Sequence, residues 1–428
     1  VSATSLPGGR VPRQAWIALA TLSSLNLLNY ADRFVISSLL PFLQRPQAEG
    51  GLGLDDAESG WLHSAFILAY TLVAPAFGLL ADRVHRLHLL AAAVASWSVL
   101  TAAGAWAAGF WSLLLVRSLT GVGEAAYASV APAVLADSFA VSRRSRVMAV
   151  FNMAIPVGAA IGFTLGSVVG STWGWREAFL VAGGPGLLLA LLIYLMRDPP
   201  RGCMDGHAVS AHAPPRLFTL FTLWSNARWR RCTLGYAAQT ACFGSLGFWT
   251  PLYLEKAKGI GGAGGGSAFG AVIVLTGIVG TMAGGWWSDR WFRRDPAAHL
   301  KVSAITTMLA VPCILLVTWA QSPWLVWSGI AAAALLLVMS VGPVNAQLVQ
   351  VVHPAQRATG MAMAILGLHL LGDVPGVPLV GLVSSWAGLD AAFAMLALFA
   401  AAGASVWWMA AMRERQTGTD RAIRMIRA

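Results

Sequence analysis

Twelve apolar runs divide this chain from end to end, each about as long as a helix must be to cross a ~30 Å hydrocarbon layer. They lie near 15–41, 61–81, 87–109, 111–139, 145–172, 176–196, 231–254, 267–288, 299–320, 324–351, 357–386 and 389–412. Lipid offers no partner to a free amide, so such runs can only be helices or a closed barrel, and runs this long read as helices. Composition agrees: 57% of the 428 residues are hydrophobic and 11% charged, where a soluble domain carries about 25% charged residues. The expectation is an all-α polytopic membrane protein. Arg10 and Arg13 precede the first run, but no small-residue cleavage site closes a short apolar segment, so no cleavable signal peptide is expected.

The net charge of +11 invites a nucleic-acid reading, which its placement refutes. If the termini and alternate loops share one side, that side collects 23 of the lysines and arginines and the other only Arg45, Arg176, Lys256 and Lys258. By the positive-inside rule both termini are cytoplasmic, and anionic lipid head groups become the natural basic-surface partner. The cysteines Cys203, Cys232, Cys242 and Cys313 lack metal or redox spacing. No P-loop, H-E-x-x-H or G-x-S-x-G motif occurs, so neither an ATP-driven pump nor an enzyme is indicated, and no metal or cofactor is expected. A glycine run at 259–270 imitates G-x-G-x-x-G but follows no strand; it reads as an extracytoplasmic loop.

The chain repeats itself. Gly78, Asp82, Arg83 and Arg86 form a G-x-x-x-D-R-x-x-R loop after the second run, and Gly285, Asp289, Arg290 and Arg293 form the same loop after the eighth. A second echo pairs Ser171-Thr172-Trp173-Gly174 with Ser384-Ser385-Trp386-Ala387-Gly388. Two similar six-helix halves are a transporter signature, with substrate bound between them. The domains expected are residues 1–196, a cytoplasmic linker 197–230 with an interfacial helix near Leu217–Trp224, residues 231–412, and a basic tail 413–428. The duplicated loops read as a cytoplasmic gate that latches the halves in one state. Gly158, Gly162, Gly166 and Gly170 in the fifth run make a groove for a close-packed helix.

Charge inside the membrane is costly and points to function. Arg117 and Glu124 are seven residues apart in the fourth run, on one helical face. The first run carries Asn26, Asn29, Tyr30, Asp32, Arg33 and Ser37. Asp32 and Glu124 are candidate proton carriers, because burial and a neighbouring arginine push a carboxylate's proton affinity in opposite directions. Arg33 and Arg117 suit an oxyanion head group. With Asn29 and Tyr127, and with Tyr236, Gln239, Trp249, Asn345 and His369 in the second half, they form the candidate substrate contacts. The alternative for Arg117–Glu124 is a structural ion pair, and for His369 a structural hydrogen bond to Asp373, four residues on.

Asn29-Tyr30-Ala31-Asp32-Arg33, Gly123-Glu124-Ala125-Ala126-Tyr127, Arg197-Asp198-Pro199-Pro200-Arg201-Gly202 and His369-Leu370-Leu371-Gly372-Asp373 carry a resemblance. The chain resembles a bacterial member of the Spinster family of the major facilitator superfamily. Ala126 departs from the serine that the family often shows. The resemblance implies the major facilitator fold, twelve transmembrane helices in two pseudo-symmetric six-helix bundles, in a bacterial inner membrane. It implies export of an amphipathic, anionic lysolipid- or sphingolipid-like substrate, with proton coupling through Asp32 and Glu124, by a monomer. The alternatives are a drug/proton antiporter or organic-anion porter of the same fold, or a non-transporting lipid sensor or scramblase.

Overall fold

The fifth helix of each half stops at a glycine with positive φ, Gly174 (119°) and Gly388 (84°), the two positions paired by the second sequence echo. Glycine adopts that conformation without a Cβ clash, so the chain turns there into a sixth helix. The structure, a computed structural model, describes residues 11–201, 204, 223–261, 263–352 and 357–427. The first half comprises α1 (Arg13–Leu43), α2 (Asp56–Arg83), α3 (Arg86–Ala103), α4 (Phe110–Ser138), α5 (Val141–Thr172) and α6 (Trp175–Leu195). The second comprises α7 (Ala227–Lys256), α8 (Ala263–Phe292), α9 (Ala298–Trp319) and α10 (Pro323–Met339, resumed as Val341–Gln350). It ends with α11 (Arg357–Leu368 and Val374–Ala387 around a π turn at His369–Asp373) and α12 (Leu389–Arg427). The π turn precedes Pro375, whose missing N–H removes a hydrogen bond from the helical ladder.

Among the described residues, ten helices are long and apolar enough to cross a membrane. The two of the twelve outside that set, α1 and α7, pack against each other at the junction of the halves, where neighbouring helices shield their polar residues from lipid. Packing obeys the repeat. α1 lies on α5 as α7 lies on α11, α2 on α4 as α8 on α10, and α3 on α6 as α9 on α12.

The glycine groove of α5 serves α1. A Cβ on Gly158, Gly162 or Gly166 would come within 2.4–2.6 Å of the carbonyl oxygens of Leu27, Ala31 and Val35, one α1 turn after another. This seam lies inside the first half. The halves themselves meet through α1–α7, α2–α11 and α5–α8.

Their contacts gather at one end of the bundle. Asp56 at the start of α2 accepts from Gln44 Nε2 (2.7 Å) and from Ser384 Oγ (2.6 Å), and Lys256 Nζ donates to Gln44 Oε1 (2.5 Å). Ser37 Oγ donates to the Phe248 carbonyl (2.5 Å), and Phe163 meets Phe269 edge-on at 4.8 Å. Along α5 and α8 contacts run from Ser167–Ser267 to Pro156–Gly277, about half of each helix.

Two expectations change, and a third lies mostly outside the described residues. The glycines at 264–270 are not a loop but the first turns of α8, where Gly266 and Gly270 let the backbone approach Ser167 and Ala160 of α5. The tail from 413 is a continuation of α12, not a separate segment. The proposed interfacial helix Leu217–Trp224 falls mostly outside the described residues; Leu223–Ser225 form a short helical turn.

Candidate functional site: a buried charge centre between α1 and α4

Asp32 and Arg33 leave α1 toward α3 and α4 just beside Ala31, where the glycine seam brings α5 closest. Arg33 Nη2 donates to Glu124 Oε2 at 3.1 Å. Arg117 Nη1 stands 3.5 Å from Asp32 Oδ1, and Asp32 Oδ2 accepts from Thr101 Oγ1 of α3 at 2.9 Å. The two α4 charges are therefore each paired across to α1. All four are buried, Glu124 fully and Arg117 to 1% exposure.

Aromatic rings close the centre on the α2 side. The Arg33 guanidinium lies 4.9–5.1 Å from the ring centroids of Tyr30, Phe66 and Tyr70, and that of Arg117 lies 4.7 Å from Phe66. Phe66 thus touches both cations, an attraction that strengthens away from water. His63, one turn earlier, is in electrostatic range of Arg33 and Arg117 in its own half and of Asp373 and His369 in the other.

Charge balances here, but hydrogen bonding does not. Among the described residues, Nε, Nη1 and Nη2 of Arg117, Nε of Arg33 and Nδ2 of Asn29 make no hydrogen bond, the Arg117 Nη1–Asp32 Oδ1 contact being an ion pair without hydrogen-bond geometry. On the accepting side of the centre, among the described residues, Asp32 Oδ1 and Glu124 Oε1 alone lack a hydrogen-bond donor. A buried polar group left unpaired costs about 1–3 kcal/mol, so five such nitrogens form an unusual reserve of donors.

The remaining candidates are more dispersed. His369 Nδ1 lies 2.6 Å from Asp373 Oδ2 in the π turn of α11, and the Asp373 carbonyl accepts from Ser64 of α2 at 3.4 Å. Tyr236 neighbours Asn345. Gln239 Nε2 donates to the Leu337 carbonyl (3.1 Å), Trp249 Nε1 to the Val377 carbonyl (3.1 Å), and Tyr127 Oη reaches the Leu22 carbonyl (3.5 Å). Gln239 and Trp249 are buried in the packing of the second half, whereas Tyr127, also buried, is in electrostatic range of Arg33 and Glu124.

The duplicated loop residues do not act alike. Arg86, expected at the gate between the halves, is held within the first half: it donates to Asp137 (2.5 Å), Asp198 (2.6 Å) and the Pro199 carbonyl (2.8 Å). Arg83, Asp289, Arg290 and Arg293 are exposed, with no ion pair among the described residues. Gly78 and Gly285 have no close neighbour that a methyl would displace; the side chain of Asp82 is not described. Thr101, Phe66, Tyr70 and His63 are missing from the sequence-derived set. The spacing of 63, 66 and 70 on one face of α2 was the available signal.

A family model described as Major Facilitator Superfamily matches residues 22–372. Protein spinster homolog 1 of Homo sapiens is 33% identical over 396 residues, 88% of this chain and 74% of that protein. Protein spinster homolog 3 of Danio rerio is 33% identical over 391 residues, 87% and 77% of the two. Among solved structures, a bacterial homologue of the human lysosomal transporter Spinster, inward-facing and unoccupied, superposes with a TM-score of 0.83 at 22% identity, covering 94% of this chain and 98% of that one. A nucleoside transporter superposes with a TM-score of 0.70 at 13% identity, over 92% and 99%. At those identities the likeness is one of fold. Sequence relatives and family model together make this chain a transporter of the Spinster family within the major facilitator superfamily.

Proposed function

We propose that the chain is a secondary transporter that works by alternating access on an amphipathic, anionic, lysolipid-like substrate, with protons as the coupling ion. The observation that carries this reading is the charge centre, two arginine–carboxylate pairs in which unspent donors outnumber unspent acceptors. A phosphate or carboxylate head group supplies the acceptors that Arg117, Arg33 and Asn29 lack, and arginine's planar fork suits bidentate contact. Binding of such a group draws Arg117 and Arg33 away from their carboxylates. Glu124 and Asp32, left buried without a counter-ion, then favour protonation. Substrate and proton are in this way linked through the same four residues, with His63 in electrostatic range both of Arg33 and Arg117 and of His369 and Asp373 in the second half.

Alternating access follows from the end-to-end asymmetry of the contacts between halves. The end carrying Gln44, Asp56, Lys256 and Ser384 is latched, while Asp289, Arg290 and Arg293 at the other form no ion pair among the described residues. With the arginine-rich end in the cytoplasm of a bacterial inner membrane, this is an inward-open state.

The test is uptake of a labelled lysophospholipid into proteoliposomes with and without a pH gradient. Transport should respond to the gradient, and Glu124→Gln and Asp32→Asn should each abolish that response. Unchanged gradient dependence in both variants removes the proton role. Arg117→Lys keeps the charge and loses the fork, so it should weaken substrate binding more than it disturbs folding. Gradient-independent flipping by the wild type would point to a scramblase instead.

A further inference from the structure

We propose that a small cavity at the arginine-rich end of the second half, between α7, α9 and α12, binds the phosphate of an anionic lipid head group. This proposal does not depend on the transported substrate. Arg228, Arg231, Leu300, Ala410, Arg413 and Glu414 line the cavity, which holds about 70 Å³, room for one tetrahedral oxyanion and little more. Three arginines against one carboxylate leave the lining with a formal surplus of two positive charges. Glu414 is itself engaged, accepting from Gln347 Nε2 at 2.9 Å. Arg231 donates to no protein acceptor among the described residues, and its guanidinium is only partly exposed.

The corresponding corner of the first half shows what a self-sufficient arrangement looks like. There Arg86 of α3 is consumed by Asp137, Asp198 and the Pro199 carbonyl, all within 2.8 Å. In the second half, near the start of α9, Lys301 pairs with Asp295, while Gln347 of α10 donates to Glu414 of α12. The three lining arginines come from the first turn of α7 and the membrane-exit turn of α12.

Depth fits a lipid. The apolar span of α12 ends at Glu414 and that of α9 begins at Ala298, so the cavity sits at head-group level. Buried Leu300 and Ala410 form its apolar floor. Trp224, 44% exposed and packed edge-on against Trp229 at 6.1 Å, lies in the turn just before α7, held by Arg230 Nη1 donating to its carbonyl at 2.9 Å. Tryptophan favours that interfacial depth, and a basic pocket on the outer wall there recognises anionic head groups. The acyl chains of a bound lipid would then lie along α9 and α12.

The experiment titrates the full-length protein in neutral detergent with phosphatidylglycerol, phosphatidylcholine or inorganic phosphate, reading thermal midpoint and, by native mass spectrometry, bound lipid. Phosphatidylglycerol should bind and raise the midpoint while phosphatidylcholine does not. Arg231→Gln should raise the half-saturating phosphatidylglycerol concentration about tenfold, the worth of one charge-assisted contact. Arg294→Gln, an exposed arginine at the same end, should leave it unchanged. Arg231→Lys, which keeps the charge, should be intermediate and guards against misfolding of the glutamine variant. Protection by inorganic phosphate that disappears in Arg231→Gln would support the same oxyanion site with a free anion as its source. Equal binding of the two lipids, or equal weakening by Arg231→Gln and Arg294→Gln, would overturn the proposal.

Discussion

The two halves repeat each other in packing and part company in charge. In the first, Gly162 of α5 receives Ala31 of α1; in the second, Gly372 of α11 receives Ala237 of α7, and in both a Cβ would fall 2.4 Å from the facing carbonyl oxygen. Counting from those contact points, Tyr236 stands where Tyr30 stands and Gln239 where Arg33 stands. Arg33 reaches Glu124 on α4, and Gln239 reaches the Leu337 carbonyl on α10. One half places two arginine–carboxylate pairs at the depth where the other has a satisfied amide on α7 and the single His369–Asp373 pair on α11. Duplication has kept the backbone contacts, which every rocking bundle needs. The arginines, however, are all on one side: Arg33 and Arg117 have no cationic counterpart at the equivalent depth of α7.

The sharpest way to break this contrast is to strip the charge. Arg117→Leu strands Asp32 as a buried, uncompensated charge and should cost about 3–5 kcal/mol of stability, measurable by thermal unfolding in detergent. The double variant Arg117→Leu/Asp32→Leu should recover most of it. If the single variant unfolds like the wild type, the four residues are not an energetic unit.

Next in size is the shared seam. Gly162→Ala and Gly372→Ala should each cost about 1–3 kcal/mol through overpacking, and by similar amounts. Gly285→Ala, which has nothing within 4 Å, should be close to neutral. A large inequality between the first two would mean that the halves are not equivalent even in packing.

The smallest effect belongs to α7. Gln239→Leu removes one hydrogen bond to a backbone carbonyl and should cost about 1 kcal/mol while leaving lysophospholipid transport intact. Loss of transport in that variant would show that the second half contributes more than shape.

Much of the site could be read from the chain before the helices were assembled. Asp32, Arg33, Arg117 and Glu124 stand out because charge in an apolar run demands a partner. Away from the ends of the runs, only these four charged residues occur in the first half, so pairing between the two runs was the simplest outcome. Which carboxylate meets which arginine could not be read. Arg117 and Glu124 share a helical face, and only the placement of α1 beside both decides that each is drawn across instead of toward the other. Phe66, Tyr70 and Thr101 escaped notice because aromatic and hydroxyl residues are ordinary in membrane helices. Their importance lies in what they touch. Arg86 carried a recognisable motif whose expected role between the halves gave way to Asp137 and Asp198, residues remote in sequence and close in space.

By itself the sequence determined the number and length of the apolar runs, the side on which arginine accumulates, the twofold repeat and the presence of intramembrane charge. These are properties of composition and spacing, and lipid enforces them locally, run by run. Only the tertiary structure decided which end of the bundle is latched, that the α5 glycines serve α1 and not the opposite half, and that Gln239 stands opposite the place of Arg33. Those outcomes depend on where helices distant in the chain come to rest, and a carbonyl 2.4 Å from a missing Cβ leaves no mark in the spacing of residues.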